Sequence, residues 1–305
     1  MDRRIKLRHI EIFVEITRRR SFKLAAARLN LTQPAISKTL KELEIILGAD
    51  LMTRDRGGVT LTREGAVFLQ FAEIGLAALR QGVTSLGETA SGSAARVAVG
   101  ALPSVAAKLL PQAARLLQDY APGALLHVED GPHGFLTDRL RSGELDMVVG
   151  RLGEAETMTG LSFTRLYSEH VVAVVVPGHP LERAEDLSAL RDWQVVYPSE
   201  RSAIRPLVDR AMIAAGAGIP PQRVESVSGA FGRSLALDEG RAVWIISHGV
   251  VERDIAAGRL RALPIDLQAT AGPVGIMMRA EEEPLPAQRL MRQALVEAAR
   301  QQNLA

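Results

Sequence analysis

The chain has 305 residues, 47% hydrophobic and 24% charged, which describes an ordinary globular protein with room for two or three domains. It has no cysteine, so disulfides, thiolate zinc sites and cysteine nucleophiles are excluded. The net charge of +2 hides an asymmetry, because residues 1–62 hold 13 Lys/Arg against 7 Asp/Glu and the rest hold 24 against 28; a small basic module joined to a mildly acidic one points to a phosphate-binding head with a different kind of body.

In chain order, MDRRIKLRHIEIF lacks the long apolar run of a signal peptide, and no later stretch approaches a membrane span. A cytoplasmic chain with no membrane partner is expected. Leu7, Ile10, Phe13, Val14 and Thr17 recur at helical spacing over residues 7–18. Ser21 reads as the cap of a second helix, FKLAAARL, whose small Ala25 and Ala26 let another helix come close. A tight Asn-Leu turn leads to Thr32, the cap of a third helix, where Pro34 costs no hydrogen bond in the first turn.

Ile36, Leu40, Leu43 and Leu47 share one face of that third helix, and Gln33, Ser37 and Lys41 lie on the other with Lys38 beside them. Three helices with a tight turn between the last two form a helix-turn-helix, whose recognition helix offers its N-terminal residues to the major groove of double-stranded DNA. The Gln33 amide suits an adenine edge, and Ser37 suits a base edge or a phosphate. Lys38 and Lys41 suit a guanine edge or the backbone. Periodicity alone leaves a merely solvated polar face open. DLMTRDRGGVTLT, residues 50–62, has short β-prone segments around a turn, as a wing would, with Arg54 and Arg56 directed at phosphates or the minor groove.

From Arg63 onward, Leu69, Ala72, Leu76, Leu79, Val83 and Leu86 are spaced 3, 4, 3, 4, 3. This heptad seam is narrow enough for helix pairing, with packing against its own domain as the alternative. The small and polar residues of GETASGSAA read as a hinge. The expected organisation is a winged helix-turn-helix over 1–62, a linker helix that dimerises over 63–89, a hinge over 90–95 and a body over 96–305.

The body alternates apolar strands with helical segments: RVAVGALP, the single helix SVAAKLLPQAARLLQDYAP, ALLHVEDG, GFLTDRLRSG and ELDMVVGRL, then HVVAVVVPGHPL, WQVVYPS, AIRPLVDRAMIAAG and AVWIISHGVV. This is the pattern of a doubly wound α/β fold with a largely parallel sheet, which binds ligands beyond the carboxyl ends of its strands. Ser104 and Val105 stand at a helix N-terminus after the first strand, where Ser104 is either an anion ligand or simply a cap. Arg151 emerges at the same edge and suits bidentate carboxylate recognition. Ser199, Ser202 and Ile204 supply a facing helix N-terminus, Phe231 and Arg233 join from GAFGRS, and Arg205 is expected to point away along its helix.

SFKLAAARLNLTQPAISKTLKELEIILGADLMTRDRGGVTLTREG resembles the N-terminal signature of the LysR-type transcriptional regulators, through its AA..L..TQPAIS..L..LE..LG..L..R skeleton. The resemblance implies that residues matching Gln33, Pro34, Ser37 and Lys38, beside Thr32 and Lys41, lie at the DNA and that the wing adds an arginine. Arg54 matches the family pattern; Arg56 falls one place early, with Gly57 where arginine is usual. The resemblance also implies a body of periplasmic-binding-protein type, with two Rossmann-like subdomains, I (96–165 and 269–305) and II (166–268). Such regulators pair through the linker helix, assemble as homotetramers on a partly palindromic operator, bind an effector between the subdomains and recruit RNA polymerase.

VGALPSV, VVGRL, LYSEHVV, AFGR and AVWIISHGVV are similar to the subgroup that regulates protocatechuate catabolism in the β-ketoadipate pathway. That likeness implies a carboxylated muconate or lactone as effector; a related sugar-responsive subgroup stays open. An enzyme is not expected. There is no G-x-S-x-G elbow, P-loop or complete G-x-G-x-x-G. His9, His127, His133, His170, His179 and His248 show no metal-ligand spacing, so no metal or cofactor is expected. A nucleoid-type DNA binder would not need the large body, and a secreted solute-binding protein would not need the head.

Overall fold

The first apolar repeats form three helices, α1 (Leu7–Arg19), α2 (Phe22–Leu29) and α3 (Gln33–Leu47). The computed structural model describes residues 2–55, 58–91, 96–238, 241–280 and 282–304, and the chain divides into two compact units, the first of residues 1–91 with 141–143 and the second of the remainder. In the first unit Phe13, Ile16, Ala25, Ile36 and Leu43 are buried in one core. The Ser21 hydroxyl accepts from the Leu24 amide at 3.3 Å, and the Thr32 hydroxyl accepts from the Ala35 amide at 3.4 Å, so both expected caps form. Asn30 closes α2 in the left-handed region, at φ 55°, which makes the turn into α3 tight.

β1 (Met52–Asp55) and β2 (Gly58–Leu61) pair antiparallel as the wing. Helix α4 (Arg63–Ser91) follows. The wing is tied to α3 by Glu44, whose carboxylate accepts from the Leu51 amide at 2.9 Å. Gly65 is required at the start of α4, because a Cβ there would run into the Leu51 carbonyl.

The heptad seam divides. Ala72 and Leu76 are buried in the core of the head, with Leu69 packed against it, whereas Leu79 is 55% and Val83 72% exposed. The side chain of Leu86 lies outside the described residues. Val67 and Phe71 are exposed as well, on a different face of α4, while Leu79 and Val83 continue the predicted seam beyond the core of the head. Of the expected hinge, α4 continues to Ser91 and residues 92–95 lie outside the described residues.

The second unit holds two five-stranded sheets. One contains β3 (Arg96–Ala101), β4 (Leu125–Asp130), β5 (Met147–Arg151), β6 (Leu161–Glu169) and β12 (Gly272–Arg279), in the order β4-β3-β5-β12-β6. The other contains β7 (Val171–Val175), β8 (Gln194–Pro198), β9 (Arg223–Ser226), β10 (Ala242–Ser247) and β11 (Arg261–Ala262), in the order β11-β7-β10-β8-β9. Helices α6 (Leu110–Tyr120) and α11 (Pro286–Gln301) cover one face of the first sheet and α7 (His133–Arg141) the other. Helix α8 (Arg205–Ala214) covers one face of the second sheet, and α9 (Gly229–Asp238) and α10 (His248–Ala256) the other.

Three details differ from expectation. The sheets are mixed: β12 runs antiparallel to β5 and β6, and β7 antiparallel to β10 and β11. Parallel neighbours need a helical crossover, and strands that pass directly from one sheet to the other have none. The first passage lies at His170 rather than near 165, because β6 stays paired with β12 as far as Glu169. The long helix after β3 breaks into α5 (Pro103–Ala107) and α6, with Pro111, which has no N–H, in the first turn of the second piece. Among the described residues no helix is long and apolar enough to cross a membrane.

Candidate functional site

At the head, Thr32, Gln33, Pro34 and Lys38 are exposed along the start of α3 and Ser37 is half-buried, above the buried Ile36 and Leu40. The amphipathic pattern thus holds this polar face outward. Lys41 is engaged within the chain: its Nζ lies 3.2 Å from Asp50 and 3.6 Å from Glu44. The hydrogen bond to Asp50 raises its pKa first, followed by the charges of Asp50 and Glu44. Its positive charge is therefore partly spent inside the head. Arg54 has its backbone in β1 opposite Val59, but its side chain lies outside the described residues, as does all of Arg56.

In the second unit an open cleft lies between the two sheets' helices. Ser104, Arg151, Ser202 and Ile204 line it, together with apolar Leu102, Pro103, Ala203 and Val250. Other predicted members fall elsewhere. The Val105 side chain is buried in the core behind the sheet. Among the described residues that line the cleft, Ser199, Phe231 and Arg233 are missing. Ser199 donates its amide to the Ser226 carbonyl at 3.4 Å, and Phe231 is exposed on α9. Arg233 forms a bidentate pair with buried Asp254, with both contacts at 2.8 Å. Arg205 turns away as expected, to Asp209 and the Pro198 carbonyl.

His133, Ser247 and Val227 line the cleft without having been singled out in the sequence as ligand residues. Ser247 ends β10 just before α10, so the rule that pointed to Ser104, the carboxyl end of a strand entering a helix, also covers it.

Arg151 is 6% exposed and serves the passage between sheets. Its Nη1 donates to the Thr270 carbonyl at 3.0 Å and its Nη2 to the Glu169 carbonyl at 2.8 Å. Gly272 is required beside it, since a Cβ would meet Nη1. Burial lowers the Arg151 pKa, against the opposing pull of the Glu169 charge.

The Glu169 carboxylate is itself held from both sides. It accepts from the Gly249 amide at the start of α10 at 3.0 Å and hydrogen-bonds the Ser104 side chain. Ser104 is therefore neither a simple cap nor a free anion ligand; its hydroxyl is engaged with an internal carboxylate. Burial raises the Glu169 pKa, and Ser104, Arg151, Gly249 and Lys108 counter it. The His170 and His248 rings stack with centroids 5.4 Å apart, and Lys108 pairs with Glu252 at 3.0 Å. Nothing in the spacing of the sequence marks this cluster, because its members come from β6, α5 and α10 and meet only where the chain crosses.

A winged helix-turn-helix joined to a two-sheet body with a cleft between its sheets is the architecture of a ligand-responsive DNA-binding regulator. Residues 7–66 match the bacterial regulatory helix-turn-helix protein of the lysR family, and residues 90–300 match the LysR substrate binding domain. The chain belongs to the LysR family of transcriptional regulators. The HTH-type transcriptional regulator PcaQ of Agrobacterium fabrum is 42% identical over 302 residues, 98% of this chain and 96% of that protein. Among solved structures, a full-length OxyR variant from Pseudomonas aeruginosa is 25% identical, with 97% of this chain and 99% of that one covered and a TM-score of 0.56. DarR of Vibrio fischeri, solved in complex with DNA, shares the fold at 19% identity, with 96% and 99% covered and a TM-score of 0.55.

Proposed function

We propose that this regulator binds a partly palindromic operator through Thr32, Gln33, Pro34, Ser37 and Lys38, with the wing arginines Arg54 and Arg56 at the backbone. In this reading it pairs through α4, assembles as a homotetramer in the cytoplasm, recruits RNA polymerase and catalyses no reaction. A small anionic metabolite enters the cleft beside Arg151, Ser202 and Ile204. Such a ligand shifts the regulator only through different affinities for its two states. The target is an operon of protocatechuate catabolism. The motifs similar to that subgroup support this, as does identity with PcaQ along nearly the whole chain.

The observation that carries the reading is the start of α3, where a capped and exposed polar turn stands on a fully buried Ile36 and Leu43. Fluorescence anisotropy on the DNA upstream of the regulator's own gene tests it. Gln33→Ala and Ser37→Ala are each expected to weaken specific binding by about 1–3 kcal/mol, as loss of a good base contact does. Unchanged affinity in both variants overturns the assignment of α3.

A further inference from the structure

Glu169 sits where the first sheet hands the chain to the second, and both halves of the body hold it. Ser104 of α5 contacts it from one side and the Gly249 amide of α10 from the other. A Cβ at Gly249 would meet the Glu169 carboxylate, so a larger residue there would displace it. Glu169 is buried, 5% exposed as a residue, so its charge is poorly screened by water. Two of the residues that touch Glu169, Ser104 and Arg151, also line the cleft. The other ionisable groups packed around it are Lys108, Tyr167, His170, His248 and Glu252; Lys108, although paired with Glu252, favours the ionised form of Glu169 as Arg151 does.

Arg151 donates to the Glu169 backbone carbonyl, and the nearby Glu169 charge, when ionised, weakens the pull of the guanidinium on an anion in the cleft. With Glu169 neutral, the guanidinium is left uncompensated. We infer that Glu169 takes up one proton from solvent when an anion occupies the cleft beside Arg151, so that effector binding is coupled to protonation of this hinge acid. The inference rests on the reading that the effector is an anion bound in this cleft.

The physical reason is that Ser104 touches the Glu169 carboxylate and also lines the cleft, so an anion there sets a second negative charge close to a buried one. Both cannot stay ionised without cost, and the incoming charge raises the affinity of Glu169 for a proton. Burial already holds its pKa above the ordinary carboxylate value in the free protein, so the shift starts from a raised value. The sign follows: affinity rises as pH falls between the free and occupied pKa values of Glu169, by up to about tenfold per pH unit for one proton.

The test is titration calorimetry of the full chain with 3-carboxy-cis,cis-muconate, in PIPES and in imidazole, across neutral and mildly acidic pH. The dependence of the measured heat on the buffer's ionisation enthalpy counts the protons taken up. Uptake is expected in the wild type and is expected to vanish in Glu169→Gln, whose amide keeps an acceptor for Gly249 and a partner for Ser104. Infrared difference spectra are expected to show a new neutral-carboxyl C=O band on ligand addition that Glu169→Gln lacks. Binding without proton uptake overturns the inference and leaves the anion reading standing. Uptake that persists in Glu169→Gln assigns the proton to His133, His170 or His248 and overturns it too. Absence of any binding heat in the wild type removes the anion reading and the inference with it.

Discussion

At the scale of single residues, the structure separates charges that the sequence presents alike. Lys38 and Lys41 are neighbours on one helix, yet Lys41 is paired with Asp50 and Glu44 while Lys38 stands exposed. Each phosphate contact contributes about 0.9 to the slope of log affinity against log salt. Lys38→Ala is therefore expected to flatten that slope by about 0.9, and Lys41→Ala by clearly less, because Asp50 and Glu44 already neutralise its charge. Anisotropy titrations at several salt concentrations measure both, and an equal loss in the two variants would show that Lys41 leaves its partners on DNA. The same logic governs the arginines of the body. Arg233 and Arg205 are engaged by Asp254 and Asp209, while Arg151 holds two carbonyls at the edge of the cleft.

At the scale of elements, α4 serves two purposes along one helix. Its first turns complete the core of the head, with Leu76 and Ala72 buried and the Phe68 ring 5.4 Å from that of Phe13. Further on, the seam residues Leu79 and Val83 project into solvent, and Val67 and Phe71 are exposed on another face near the start of the helix. Leu76→Ala is expected to cost the head about 2–5 kcal/mol, the usual penalty for emptying a buried leucine site. Val83→Glu is expected to leave stability within about 0.5 kcal/mol, as surface changes do, and to weaken self-association measured by sedimentation. If Leu76→Ala dissociated the protein without destabilising the head, Leu76 would belong to the pairing face and not to the core of the head.

At the scale of the whole molecule, two units with separate cores are expected to unfold in two calorimetric transitions, a departure from the two-state behaviour of single domains. Operator DNA is expected to raise only the head transition, and a carboxylated muconate only that of the body. Ligand at a hundred times its Kd contributes about 2.7 kcal/mol to the unit that binds it. A single transition moved equally by both ligands would contradict this. A shift of the body by sugars and not by carboxylates would favour the sugar-responsive reading.

The sequence by itself determined the helix-turn-helix, its caps and the run of core strands, because each is written in local spacing: Thr32 before Pro34, Ile36 with Leu40 and Leu43, and the apolar runs of β5, β7 and β10. Strand β6 escaped because it is half exposed at a sheet edge and Arg165 interrupts its alternation. Which charges are free was decided only in three dimensions. Asp50 and Glu44 neutralise Lys41, Asp254 takes Arg233, and Glu169 occupies the Ser104 hydroxyl that looked ready for a ligand. Spacing along a chain specifies which face of an element is apolar. The partner of a buried charge is specified by where the chain crosses itself, and Glu169, Arg151 and Gly249 meet only at that crossing.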